Sequence, residues 1–296
     1  MLAVMFDLTD YLNRHRARVE TFLLARLPRE NARPARLHRA MRYSVLAGGK
    51  RIRPILAIAA AQACGGPDDP ALAAGAAVEL LHTYTLIHDD LPCMDDDALR
   101  RGKPTCHVAF GEANALLAGD ALQALAFEWL AGLPAAADPV RLVRVLAEAA
   151  GSLGVVGGQV EDLQAEGAPP SAKRLRFIHQ RKTAVLIEAA TRLGAIAAGA
   201  AEADIRRVGR YGRHLGLAFQ AADDILNATA SADALGKPVG SDQARGKLTV
   251  VAVHGLSAAR RQARELARAA QAALAGLPGP VEPLRALARY TVRRQN

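Results

Sequence analysis

Aromatic side chains make up only 4% of this sequence, with a single tryptophan. A core without large rings is filled by smaller groups, and here those are mostly Ala and Leu, both strong helix formers. Alternating strand patterns rich in β-branched residues are almost missing; VVAVHGL near 250 is the one short candidate strand. Cysteine is equally sparse. Cys64, Cys93 and Cys106 are isolated, odd in number and form no C-x-x-C pair. That argues against a disulfide framework or a thiolate zinc site and suits the reduced thiols of a cytoplasmic protein. There is no long block of Lys or Arg and no interleaving of basic with aromatic residues, so nucleic-acid binding is not expected. The longest apolar stretch, TAVLIEAATRLGAIAAGAA, carries Glu188 and Arg192 and does not read as a membrane span. The N-terminus reaches Asp7 and Asp10 too soon for a secretory apolar core.

What the chain has in abundance is apolar periodicity. Of its 296 residues 51% are hydrophobic, enough for a sizeable core. Turn-forming clusters such as GGPDDP, GLPAAADP, GAPPSA and GLPGPVEP separate segments whose apolar residues recur at three- and four-residue spacing. Several of those segments are apolar nearly all round, which places them inside a bundle. No linker or repeat divides the chain. One all-α domain over 1–296, of ten or more helices, is expected. The formal charge of +9 suits nucleic acid, anionic lipid or a phosphorylated small molecule, and does not choose among them.

Two acidic clusters carry the chemistry. LIHDDLPCMDDD sets five aspartates between positions 89 and 97, directly after an apolar run. Carboxylates so close repel one another unless positive charge opposes them. Pro92 ends the helix there, so Asp89 and Asp90 belong to its last turn and Asp95 returns from the following segment. FQAADDILNA repeats the arrangement: Asp223 and Asn227 are one helical turn apart on one face, with Asp224 at its flank. Oxygen donors without His or Cys suit Mg²⁺, which commonly bridges carboxylates to substrate phosphates. A single such cluster is more often a solvated helix end; two of them point to a metal-held polyanion.

Basic residues stand beside these clusters. GGKRIRP places Lys50, Arg51 and Arg53 after a glycine pair, without the spacing of a P-loop. RRGKPT follows the first cluster at once, and Lys182, Lys237 and Lys247 come later in RKT, GKPVGSDQ and GKLT. Taken singly each is a surface charge; together they fit two phosphate sites, one through magnesium and one through direct Arg and Lys pairing.

DDLPCMD followed by RRGKPT resembles the first aspartate-rich motif of the short-chain trans-polyprenyl diphosphate synthases, and DDILN resembles the second. GGKRIRP, the HTY at 82–84, GEANALLAGDAL, GGQVEDLQAEG, RKTAVLI and LGLAFQAADDIL follow in that family's order over nearly the whole chain, most like the bacterial farnesyl diphosphate synthases. The resemblance implies an all-α isoprenoid-synthase-type bundle around a central cavity and a homodimer. It implies Mg-dependent joining of an allylic diphosphate, dimethylallyl or geranyl, to isopentenyl diphosphate, giving farnesyl diphosphate (C15) and pyrophosphate. Carried over, Asp89, Asp95 and Asp223 bind about three Mg²⁺ ions, with Asp90 and Asp224 supporting through water. Arg100, Lys182 and Lys237 hold the allylic diphosphate. Lys50, Arg53, His82 and Arg101 hold the isopentenyl diphosphate, while Thr183 and Gln220 face the forming cation.

Tyr84 lies five residues before Asp89, about 7 Å deeper along a helix at 1.5 Å per residue, where a ring can floor the cavity and limit the product. An ordinary core aromatic is the bland alternative. In the second motif Asn227 stands where the family has Asp, which removes a negative charge. LTVVAV follows Lys247 where the family more often has a Tyr-Pro pair. His88 and the Cys106–His107 pair read as packing or hydrogen-bonding groups, Asp120 as a buried acid at a helix junction, and Gln159 and Asp162 as facing the cavity. Alternative functions are a geranylgeranyl (C20) diphosphate synthase, a non-catalytic subunit of the same fold, and a terpene cyclase. The cyclase is disfavoured because it has no use for the basic GGKRIRP set.

Overall fold

A computed structural model describes residues 6–229 and 247–293, and the structural statements that follow concern those residues. Lys237 lies outside them. The expected all-α architecture is observed, with one two-residue hairpin as its only strands among the described residues.

The chain opens with α1 (Leu8–Arg26), where the Asp7 carboxylate accepts the first free N–H groups of the helix. Helices α2 (Ala35–Val45), α3 (Ile52–Ala63) and α4 (Asp68–Asp89) follow. After the acidic turn come β1 (Leu99–Arg100) and β2 (Lys103–Pro104), antiparallel, with Arg101 and Gly102 at the turn. Both turn residues have positive φ, 54° and 74°, which matches a two-residue turn to the twist of the strands. Next are α5 (Cys106–Phe110), α6 (Glu112–Ala131), α7 (Pro139–Ala150) and α8 (Val155–Ala165). Then α9 (Ala172–Ile178) runs through a π-helical turn (His179–Ala184) directly into α10 (Val185–Ala197). The long α11 (Glu202–Thr229) carries the second acidic cluster, and α12 (Val250–His254), α13 (Leu256–Ala273) and α14 (Glu282–Arg293) close the bundle.

Helices α4 and α10 are the innermost. Each buries almost its whole circumference, α4 against α3, α6 and α10, and α10 against α3, α7 and α11 as well. This is where helices apolar all round belong, and it delivers the acidic end of α4 to the middle of the bundle. Helix α11 packs along α10 and α13 and brings its own acidic end alongside.

Two expectations are corrected. VVAVHGL does not form a strand: Thr249 caps α12 by accepting the N–H of Ala252, and the Asp224 carboxylate accepts that of Val250. Two satisfied N–H groups at the first turn outweigh the strand preference of three valines. Asp120 is not a buried junction acid; it lies within α6 with its side chain exposed, 3.9 Å from His88. No described helix is long and apolar enough to cross a membrane.

Candidate active site

Helix α4 ends at Asp89, and the chain then doubles back. The N–H of Asp95 donates to the Asp89 carbonyl at 2.8 Å, and those of Met94 and Asp96 donate to Leu91. Asp89 and Asp95 thereby share one turn, while Asp90 points inward and is only 3% exposed. Asp90 is held by Arg100, whose Nε donates to both its oxygens at 2.8 Å. The Arg100 Nη1 takes no part in that pair.

The π-helical turn supplies the facing cation. Lys182 donates to Asp162 of α8 at 2.6 Å. Burial works against its charge, but Asp162, Asp89 and Asp95 more than offset that and raise its pKa. The close approach depends on two glycines. A Cβ on Gly158 would fall 2.3 Å from the Lys182 nitrogen, and one on Gly216 2.5 Å from the Ala184 Cα. Thr183 donates to Gln220 at 2.7 Å, and Gln220 donates to Asp224 at 2.9 Å. Asp224, 3% exposed, also accepts the Val250 N–H at 2.7 Å, with His179 at 3.4 Å. It therefore fixes the start of α12 against α11. Asp223 is exposed beside it.

The segment between these points joins the two clusters. Lys247 lies 3.2 Å from Asp95, and three residues later Val250 is bound to Asp224. The first and second acidic motifs thus converge on one place. The Asp89 carboxyl is strongly perturbed. Burial, with Asp95 adding to it, pushes its pKa up to about 6, against the pull of Lys182, Arg100 and Lys247. On α11 the Asn227 Oδ1 is buried without a hydrogen-bond partner.

Two cavities meet here. One, of about 530 Å³, is lined by Lys50, Arg53, His82, Arg101 and, on its apolar side, Phe219 and Leu287. The other, of about 470 Å³, is mostly apolar, with Tyr84, Met94, Val155 and Leu186 in its wall and Asp89, Lys182 and Thr183 at its rim. Arg53 and His82 line both. The carboxylate in the wall of the first cavity, Glu79, is paired with Arg51 and only partly offsets the cations around it. Burial, with Arg101 nearby, lowers the pKa of Arg53, and the Arg53 Nε has no partner. Burial and the surrounding arginines hold His82 well below its usual range. Unpaired buried donors around a concentration of cations are what a bound polyanion satisfies.

Arg51, quoted with Lys50 and Arg53, has a different fate. It is 2% exposed and donates to Glu20 (2.8 Å), Glu79 (2.9 Å) and the Val45 carbonyl (2.6 Å). It borders the basic cavity with Lys50 and Arg53, but its guanidinium is committed to those three acceptors.

The chain matches the polyprenyl synthetase family over residues 34–275. The chain belongs to that family. Among its curated relatives, geranylgeranyl pyrophosphate synthase 12, chloroplastic, of Arabidopsis thaliana is 48% identical over 299 residues, covering 98% of this chain and 82% of that protein. A large subunit of a heterodimeric geranylgeranyl pyrophosphate synthase from the same plant is 47% identical, covering 98% of this chain and 80% of that one. Among solved structures, an FPP/GFPP synthase from Zymomonas mobilis superposes with a TM-score of 0.86 at 38% identity, covering 96% and 98% of the two chains. A geranylgeranyl pyrophosphate synthetase from Pyrococcus horikoshii gives 0.88 at 31%, covering 97% and 99%.

For a polyprenyl synthetase chain, the structure gathers most residues the motifs single out. Asp89, Asp95, Lys182, Thr183, Gln220, Asp224 and Arg100 surround the junction, and Lys50, Arg53, His82 and Arg101 line the basic cavity. Tyr84 is 6% exposed in the wall of the apolar cavity, edge-on to His88. Its hydroxyl stands near Gln123 without a hydrogen bond of ordinary geometry. His88 bonds the Leu116 carbonyl at 3.0 Å, a packing role as expected. Lys247, grouped by its motif with the phosphate-site residues, stands beside Asp95, whereas nothing near Tyr290 in sequence suggests a ligand and only the fold brings it to Lys50.

Proposed function

We propose that this enzyme condenses isopentenyl diphosphate head to tail with an allylic diphosphate, releasing pyrophosphate, with Mg²⁺ as cofactor. The observation that carries this reading is the pair of cavities, one basic and one apolar, that share Arg53 and His82 at the acidic junction. The basic cavity takes isopentenyl diphosphate; the apolar cavity takes the allylic tail, with its diphosphate at the rim.

The residues suit magnesium. Among the described residues no three His, Cys, Asp or Glu side chains stand close enough to cage a metal unaided. Mg²⁺ uses one or two carboxylates plus substrate phosphates and water. Asp89 and Asp95 from one side and Asp223 from the other would hold it, and the orphan oxygen of Asn227 fits the same donor chemistry. Bound Mg²⁺ supplies positive charge that stabilises the departing pyrophosphate. The chain's own cations add to it: Lys182, Lys247 and the unengaged Nη1 of Arg100. The Thr183 hydroxyl donates its proton to Gln220, so its lone pairs are free to face an allylic cation. Apolar walls keep water from that cation. Asp90 and Asp224 hold Arg100 and α12 in position.

On product length, the curated relatives named as geranylgeranyl pyrophosphate synthases weigh toward the C20 product rather than the expected C15 product. Tyr84, in the wall of the tail cavity, is the specific observation on the side of C15. A homodimer is supported by Leu117 on α6 and Leu153 beside α8, large apolar side chains 54% and 75% exposed; Leu116, Val156 and Val160, also exposed, line the tail cavity. We place the enzyme in the cytoplasm on its isolated, unpaired cysteines.

The test is incubation with Mg²⁺, isopentenyl diphosphate and geranyl diphosphate, followed by separation of products by chain length. Condensation requires both substrates. Pyrophosphate released from the allylic diphosphate alone indicates a cyclase, and no turnover indicates a non-catalytic subunit. Sedimentation of the same protein reads its oligomeric state.

A further inference from the structure

Helix α14 contributes a wall to the basic cavity through Leu287, Tyr290 and Thr291. Of these, Tyr290 is the polar group that meets a cation of the site. The Lys50 ammonium lies 5.8 Å from the centre of its ring and 3.5 Å from its hydroxyl oxygen, a long hydrogen bond with lysine as donor. The phenol proton is donated to no acceptor among the described residues. Inside the cavity the nearby carboxylate, Glu79, is engaged by Arg51. The cations Lys50, Arg53 and Arg101 therefore surround a space that a diphosphate fills, with a phenol O–H at its edge.

We propose that Tyr290 is a substrate-binding residue of the isopentenyl diphosphate subsite, its ring steadying the Lys50 ammonium and its hydroxyl donating to a diphosphate oxygen. The inference rests on the function proposed above. Both contacts make physical sense together. The ammonium lies at the hydroxyl edge of the ring, within cation–π range, and with one N–H on the phenol oxygen it keeps two donors for an anion. An O–H that accepts from an ammonium is polarised to donate to an anion. The arrangement also links the last helix of the chain to the loop that follows α2, two elements far apart in sequence.

Calorimetric titration of isopentenyl diphosphate into the full-length protein, together with KM for each substrate, tests this. Tyr290→Phe keeps the ring and removes the hydroxyl. It is expected to weaken isopentenyl diphosphate binding about tenfold, the effect of one hydrogen bond to a charged group. The KM for geranyl diphosphate and kcat stay within about twofold, because those quantities report other contacts. Tyr290→Leu, which also removes the ring, weakens binding further. Unchanged binding in Tyr290→Phe overturns the proposal. So does a uniform rise in both KM values, or a fall in kcat alone, since either marks α14 as general packing. If the wild-type protein binds isopentenyl diphosphate but does not condense it, the functional reading fails while the role of Tyr290 is still measured. A wild type that does not bind it overturns both.

Discussion

The main-chain N–H of Asp95 reaches back 2.8 Å to the main-chain carbonyl of Asp89. That bond brings two carboxylates beside Lys182 and Lys247 that an uninterrupted helix would send in different directions. Replacing either aspartate by Asn keeps the turn and removes the charge. Asp89→Asn is expected to lower kcat at least about a hundredfold, the scale of losing a preorganised electrostatic contact. The same variant should melt higher than wild type without metal, by about 2–4 °C for each kcal/mol of relieved charge burial. Activity and thermal melts on one preparation check both halves.

Asp89 also gives magnesium a pH signature. Its folded-state pKa is raised from 3.8 to about 6, so the metal-free fold holds an extra proton between those values. Stability of the metal-free protein therefore falls as pH rises through this window and is lower above pH 6. Magnesium binds the ionised form. The rise in melting temperature on adding Mg²⁺ is expected to be clearly larger at pH 7.5 than at pH 5. An equal rise at both would remove Asp89 from the metal site.

Asn227 offers a reversal. Its Oδ1 is buried without a partner, where a second negative charge would face the metal. Asn227→Asp should lower the Mg²⁺ concentration for half-maximal activity about threefold to tenfold, equivalent to roughly 1 kcal/mol. A magnesium titration of initial rates reads it.

Tyr84 decides the product if it is the floor of the tail cavity. Tyr84→Ala is expected to lengthen the main product by at least one five-carbon unit, as judged by chromatography of the hydrolysed prenyl alcohols. An unchanged profile would make Tyr84 an ordinary core ring.

Arg51 and Glu79 form a buried pair whose halves depend on each other. Arg51→Met leaves Glu79 charged and enclosed, at a cost of about 3–5 kcal/mol in urea unfolding. Adding Glu79→Gln should recover much of that loss. Recovery in the double variant distinguishes an unpaired charge from simple loss of packing.

The first acidic motif was legible because its geometry is local: Pro92 ends α4, and six residues are enough to return a chain. Helices apolar all round announced the two inner helices for the same reason. What stayed hidden depends on the third dimension. Lys50, Arg51 and Arg53 look alike in a row of basic residues, and only the fold commits Arg51 to Glu20 and Glu79 while leaving Lys50 and Arg53 on the wall of the basic cavity. The Lys182–Asp162 pair requires α8 to touch the π-helical turn, which Gly158 permits but no periodicity signals. The valines of α12 favour a strand, and a carboxylate on α11 overrules them. Asp120 stands on an exposed face in the middle of α6, and the small apolar residues on either side of it do not show which way it faces.

The π-helical turn at His179–Ala184 makes the placement of Lys182 and Thr183 depend on the number of residues in that turn. A π turn holds one residue more than the α turn it replaces. Deleting a single residue there would let the rod close into ordinary helix, with α10 still in register and the residues of the turn itself displaced. Lys182 and Thr183 would then leave the junction, although neither the core composition nor any catalytic side chain had been altered. Among natural variants of this chain, substitutions within the turn are therefore expected to be far more common than insertions or deletions.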